Sequence, residues 1–586
     1  MVKNAKILNV LSGEIHHADV AIADGTFVGF GDSGREQDEY KAKDLYDAQG
    51  RYMCPGLIDG HIHVESTFLS PPEFCKAAAS HGTSAVIWDP HEIANVLGLK
   101  GIDYLIQSSL GLPVKFYFMM PSCVPATHME TSGAAILDKD IQEYLNRYPG
   151  LVLGLAEMMN YPGVIHEDKS VLSKLVAAGS KPKDGHAPLL SGKSLNGYII
   201  AGLGSDHECT SVEEAIEKLR KGIHIMIRQG THEKNLRDLV SIINDFNSSQ
   251  ISLVSDDRDP IDLKENGHLD YLVRTAISFG VPPLRAIQMV SINTARYFGL
   301  KNMGAIALGF KADFILLDDV ESFSISEVFL EGKKIDKTDI NKTSRNQENR
   351  MSHGGSKNDS LKPLLENTVH IRSLNDPNMF MIPTNHDAVA SPSSQCLNVI
   401  GIIPGQIITQ KRVIPPKIDE KIGAVIADVE RDLAKIAVVE RHRMTGNIGL
   451  GFVQGLGLER GAIASSVAHD SHNIVVAGMN DNDMLLAVRY IASIGGGLAV
   501  AQDGHIAAAL PLPIAGLISS QPIESVVSNL TAVNLASLKL GSSIVRDPFM
   551  LLSFLALPVI PSLKLTDRGL VDVERFCFTS LWADEA

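Results

Sequence analysis

Nine polar side chains stand at or just beyond the ends of apolar runs in the first half of the chain: His61, His63, His91, Cys123, Glu157, His186, His207, Arg228 and Asp256. Imidazole nitrogens and carboxylate oxygens are the donors a divalent transition metal takes when thiolate is absent. His61 and His63 are two residues apart, so on an extended strand both rings project to one side. His186, His207 and Asp256 add two more nitrogens and a carboxylate, and Glu157 could bridge two ions with its two oxygens. Four histidines and two carboxylates exceed what one tetrahedral ion needs. They suit a pair of divalent ions about 3.5–4 Å apart. Zn, Fe and Mn all accept such ligation, and the residue types do not choose among them. Any one of these histidines alone reads as a packed or capping residue; six suitable groups at the ends of apolar runs, in barrel order, point to metal. Cys123 reads as a small core residue rather than a ligand. Arg228 reads either as a salt-bridged arginine or as a substrate contact.

The elements that must position these groups are visible as the runs YMCPGLIDGHIHVE, TSAVIWDPHE, VKFYFMMPSC, LVLGLAEMMN, a polar fifth ending KDGHAP, a sixth ending LGSDHE, then GIHIMIRQG and QISLVSDD. Helical stretches separate them, which is the βαβα signature of a parallel sheet covered by helices. In a (β/α)8 TIM-like barrel the C-terminal strand ends converge on one face. Residues as far apart as His61 and Asp256 would therefore meet. The fifth run is polar for a barrel strand and predicts a short or distorted one.

The barrel is expected over 55–300. Its flanks, 1–54 and 301–366, carry short β-like segments (AKILNV and DVAIADGTFVGFG; GAIALGFKADFILLDD and EVFLEGKKI). Neither flank can bury a core alone, so a composite, split β-sandwich is expected from the two. The polar stretch at about 337–362 reads as a linker. Residues 367–586 read as an additional C-terminal α+β domain, with strand-like IGAVIADV, IAVVERH and NIVVAGM and helical DNDMLLAVRYIASIG.

Composition narrows the partners. The chain has 586 residues, with 53 Lys and Arg against 68 Asp and Glu, a formal charge of −15. That balance argues against a nucleic-acid binder, which needs a basic face. Six cysteines without a C-x-x-C pair exclude a disulfide scaffold and fit a reducing compartment. They also exclude the cytidine-type deaminase signature, which needs P-C-x-x-C. The N-terminus is a poor signal peptide, and the apolar stretch 548–563 is too short, and too broken by Pro558 and Pro561, to span a bilayer. A cytoplasmic protein acting on a small molecule, without membrane or nucleic-acid partners and assembled as a homo-oligomer, a dimer, is the expectation.

PGLIDGHIHVEST (55–67) resembles the signature of the amidohydrolase superfamily, and GAIALGFKADFILLD resembles that superfamily's closing β segment. WDPHEIANVLG (88–98), GLAEMMNYPGV (154–164), DGHAP with LSGKSLNGYIIAG (184–202), SDHE (205–208), MIRQGTHEKNL (226–236), SDDR (255–258) and MTGNIGLGFVQGLGLERGAIASSVAHDSHNIVVAG (444–478) narrow the resemblance to the adenine deaminase family. The resemblance covers nearly the whole chain. It implies hydrolysis of adenine to hypoxanthine and ammonia, with two divalent ions, Mn or Fe and also Zn. His61 and His63 would bind one ion, completed by Asp256; His186 and His207 would bind the other; Glu157 would bridge. Trp88 and Gln229 depart from the pattern expected beside those ligands.

In that reaction Asp256 would act as general base and then general acid. Glu208 is the first candidate for the proton donor to N1 of the purine, and His91 the second. Glu208 equally reads as a group that orients a ligand. His91 and Arg228 are the expected substrate contacts. Asp89, His91 and Glu92 together read as a helix start or as an extra cation site. AHDSHN (468–473) reads as a loop closing the barrel mouth or as a subunit contact. The alternatives in activity are another purine or cyclic amide as substrate, or a non-catalytic metal-binding scaffold.

Overall fold

The computed structural model describes residues 1–31, 40–335, 365–384, 396–404, 406–544 and 547–583. The expected linker at 337–362 lies outside the described residues. The N-terminal flank forms β1 (Val2–Asn9), β2 (Glu14–Ala23), β3 (Thr26–Gly31), β4 (Tyr46–Asp47) and β5 (Tyr52–Pro55). Asp24 and Gly25 both have positive φ, 49° and 71°. That is the conformation a two-residue hairpin turn demands, and Asp-Gly supplies it cheaply.

The barrel strands follow: β6 (Leu57–Ile62), β7 (Thr83–Trp88), β8 (Lys115–Met120), β9 (Val152–Met158), β10 (Lys183–Gly185), β11 (Ser205–Asp206), β12 (His224–Arg228) and β13 (Ile251–Val254). β6 to β10 pair in parallel, as do β11 to β13. The Gly204 N–H donates to the Lys183 carbonyl at 2.9 Å, linking β10 to β11. A parallel bridge between Ile62 and Asp256 joins the last strand to the first. The sheet thus curls into a TIM-like barrel. β10 is three residues long, because its polar side chains leave little to bury; Asp184 instead accepts hydrogen bonds from Ser205 and Tyr297, both at 2.9 Å. β7 and β9 are buried along their whole length, as expected of strands covered on both faces.

After the barrel, β14 (Phe314–Asp319), β15 (Ser324–Leu330) and β16 (Lys333–Lys334) return to the N-terminal strands. One sheet results, in the order β16-β15-β14-β5-β1-β2-β3, with β4 on β1. Ile7, Phe27, Met53, Phe314 and Phe329 form its buried core.

The C-terminal part is built on a second eight-stranded sheet that starts at Leu397 and ends at Pro511. The helix Asp481–Ser493, within the stretch read as helical, packs on it, and the helix Ile523–Lys539 packs on its last strand. This part is tied to the barrel by hydrogen bonds from the Thr131 N–H and hydroxyl to Asp567 (2.9 and 2.7 Å), from the Asn473 amide to the Thr131 carbonyl (2.8 Å), and from the Ser519 N–H to the Phe68 carbonyl (2.8 Å). Among the described residues no helix is long and apolar enough to cross a membrane.

Candidate metal centre

The end of β6 delivers His61 and His63 to the barrel mouth. The His63 Nδ1–H donates to the Asp89 carbonyl at 3.1 Å, which leaves the Nε2 lone pair facing inward. That nitrogen lies 3.3 Å from Glu157 Oε1 and 3.4 Å from Asp256 Oδ1. His61 Nε2 lies 3.4 Å from the same Asp256 oxygen and 3.8 Å from Glu157 Oε1; it is buried and has no hydrogen-bond partner. On the other side, His186 Nδ1 and His207 Nε2 approach Glu157 Oε2 at 2.7 and 3.2 Å. Glu157 Oε2 therefore faces His186 and His207, and Oε1 faces His63 and His61, with His91 Nδ1 also 3.6 Å from Oε1.

Asp256 is placed by β6 itself: its N–H donates to the His61 carbonyl at 3.1 Å. Its φ of 54° is left-handed, a strained backbone for an aspartate and one that clusters at functional sites. Burial alone would raise the Glu157 carboxyl, but the imidazoles of His207, His186 and His63 hold it well below the usual carboxylate range. Burial is likewise outweighed at Asp256 by the facing imidazoles of His61 and His63 and by the Arg228 charge. Both carboxylates are thus held as anions, the form that ligates a cation. A histidine lone pair aimed at two buried carboxylates is unfavourable unless a cation sits between them, so these residues fit a divalent metal.

Glu208 and Arg228 flank this cluster. Glu208 Oε1 is 3.5 Å from both His186 Nδ1 and His207 Nε2. Arg228 donates to both Glu208 oxygens, at 2.9 Å through Nη2, and its Nη1 also reaches Asp256 Oδ2 at 3.1 Å. Its Nε–H donates to Asn235 at 2.8 Å. In this arrangement Arg228 is salt-bridged and at the same time lines the cavity.

His91 opens the helix His91–Leu97, with Asp89 accepting from its N–H (3.1 Å) and its Nδ1–H (3.0 Å). Its ring centroid lies 4.6 Å from that of His63. Cys123 is buried, and its thiol points at the Glu157 backbone carbonyl (3.8 Å) rather than at the cluster. Trp88, an expected irregularity, donates from Nε1 to Glu65 at 2.7 Å behind the site.

The cavity at the mouth has a wall that comes from the C-terminal part: Ile407, His469, Asp470, Phe554, Leu557 and Ile560. The AHDSHN segment is buried inside this same chain, with His469 Nδ1 2.7 Å from Glu92. Lys564 holds the wall from behind, its side-chain amine donating to the Ile407 and Phe554 carbonyls at 2.9 Å each. Burial pushes that amine down to about 7. Glu233 and Asp257 also line the cavity. Glu233 has no hydrogen-bond partner on either oxygen, and burial beside Asp257 raises it to about 7. Sequence reasoning missed both acids and the apolar wall. Glu233 sits in a loop after β12, and Phe554, Leu557 and Ile560 look like ordinary core positions.

Fold and cluster together have the character of a metal-dependent amidohydrolase. The amidohydrolase family model matches residues 52–335, and a model described as the adenine deaminase C-terminal domain matches 406–577. Full-length relatives include a protein named adenine deaminase from Oleidesulfovibrio alaskensis, 52% identical over 99% of this chain and 96% of that one. Those from Desulfatibacillum aliphaticivorans (47%, covering 99% and 97%) and Methanothrix thermoacetophila (45%, covering 100% and 97%) carry the same name. Among solved structures, a beta-aspartyl dipeptidase from Fervidobacterium islandicum AW-1 aligns with a TM-score of 0.44 and 20% identity, over 57% of this chain and 95% of its own. The chain belongs to the adenine deaminase family. Its cofactor is a divalent metal.

Proposed function

We propose that this chain hydrolyses adenine to hypoxanthine and ammonia. The observation that carries the reading is the division of Glu157 between two histidine pairs, in a chain matched end to end by adenine deaminases. His61, His63 and Asp256 would hold one divalent ion and His186 and His207 a second, with Glu157 between them and Mn or Fe as the metal; Zn suits the same donors. Ions bound there would lower the pKa of water from 15.7 toward about 7 and so supply a nucleophile at neutral pH.

The protein groups do the rest. Asp256 takes the proton of the water that adds to C6 of the purine and passes it to the departing amine, as the C6–N6 bond breaks and ammonia leaves. N1 gains a proton in the same addition; Glu208, beside His186 and His207, is its first source and His91 its second, and the donor is reprotonated by the C6 hydroxyl proton as the C6 carbonyl of hypoxanthine forms. Arg228 positions the substrate edge and fixes Glu208 and Asp256 relative to each other. The apolar wall of Phe554, Leu557 and Ile560 covers the planar base and keeps bulk water out. On this reading the catalytic barrel is 55–300, the flanks 1–54 and 301–366 form one composite β unit, and 367–586 form an α+β unit that closes the site.

The test is ammonia release at steady state from adenine, adenosine, guanine and cytosine. Release from adenine is expected; none from adenine would overturn the reading.

A further inference from the structure

Next to the centre just described, four more ligand atoms converge from the two parts of the chain. The helix start provides His91 and Glu92, and the AHDSHN segment provides His469 and Asp470. Asp89 accepts the His91 Nδ1–H, so the Nε2 lone pair of a neutral ring points the other way. It faces Glu92 Oε1 at 3.3 Å and Asp470 Oδ1 at 3.8 Å. His469 Nδ1 lies 2.7 Å from that Glu92 oxygen and 3.9 Å from that Asp470 oxygen. A tetrahedral ion with bonds of about 2.0–2.2 Å spaces its ligand atoms about 3.3–3.6 Å apart. The four observed separations straddle that range.

All four side chains are buried, at 2–3% exposure. Asp470 Oδ2 has no hydrogen-bond partner. Two buried carboxylates that meet with so little hydrogen bonding carry a desolvation cost that a cation would offset. His472 accepts the Ala468 N–H through Nδ1 (3.1 Å), and its Nε2 packs against Glu92 Oε2, although neither atom has a hydrogen-bond partner. Phe554 stacks on the His469 ring at 4.7 Å and 16°, fixing that imidazole.

We propose that His91, Glu92, His469 and Asp470 form a further divalent-cation site, separate from the set around Glu157. Two nitrogens and two carboxylate oxygens suit Zn, Mn or Fe rather than Ca or Mg. The ion would pin the C-terminal wall to the barrel, because two of its ligands belong to each part. With His91 Nε2 committed to it, the N1 proton falls to Glu208.

The test is metal content. The protein is stripped with a chelator, reloaded with Mn²⁺ or Zn²⁺, desalted and measured by plasma mass spectrometry as ions per chain. Asp470→Ala and His469→Ala should each bind one ion fewer than the parent protein; two variants are used so that a folding failure in one, seen by circular dichroism, leaves the other to decide. If the folded variants bind as many ions as the parent, the four groups make an imidazolium–carboxylate contact only and the proposal is overturned. Because the readout is a difference between proteins, it stands apart from the adenine assay and from the content of the Glu157 centre, which His186→Ala reports separately.

Discussion

Arg228 grips Glu208 with both terminal nitrogens, and one of those nitrogens also touches Asp256. One guanidinium thus holds two acids that act at different points of the proposed reaction. Lysine keeps the charge but not the fork. Arg228→Lys should lower kcat by roughly 100-fold, about 3 kcal/mol, the scale of breaking a buried ion pair. Bound metal should change little, since Arg228 supplies no ligand atom. Steady-state kinetics with metal analysis on the same sample checks both halves.

Asp256→Asn keeps the shape of the side chain and an oxygen that can still ligate. It removes the proton acceptor. Turnover should fall by about 10³-fold, within the span of general acid–base effects. Metal content should stay largely intact. Retained activity in this variant would remove Asp256 from the mechanism.

Glu157 serves both histidine pairs, whereas His186 serves one. Glu157→Gln should therefore lose affinity at both positions and His186→Ala at one. Titrating the apo-protein with Mn²⁺ and following activity and bound ions separates the two patterns. Equal losses in the two variants would show that Glu157 does not bridge.

Lys564 makes stability depend on pH. Its amine is pushed from 10.5 down to about 7 by burial. Between those values the unfolded chain binds a proton that the folded chain does not. Stability from this group therefore rises with pH from about 7 to about 10.5, by up to a few kcal/mol. Lys564→Met should lack that slope. Urea midpoints for parent and variant at pH 7 and pH 9.5 test it; parallel shifts in the two proteins would contradict it.

The barrel was legible because a parallel sheet covered on both faces writes itself as apolar runs, and because His61, His63, Glu157, His186, His207 and Asp256 stand at the ends of five of them. Even the weak fifth run reported its own strand, which is only three residues long. The cavity wall was not legible. Phe554, Leu557 and Ile560 are buried apolar residues with no pattern that separates a core face from a substrate face. Glu233 was hidden for the opposite reason: it is one acid in a polar loop, and only its lack of a partner marks it. The AHDSHN segment was conspicuous in composition, yet its proximity to Glu92 spans nearly 400 residues of sequence, which no local spacing conveys.

The bridge between Ile62 and Asp256 joins the first barrel strand to the last. During synthesis His61 and His63 emerge early, but Asp256 follows nearly 200 residues later and the C-terminal wall about 150 to 300 residues after that. At about 5–20 residues per second the ribosome leaves this site incomplete for tens of seconds. A centre that takes ligands from both His61 and Asp256 can be complete only once the last barrel strand has joined the first.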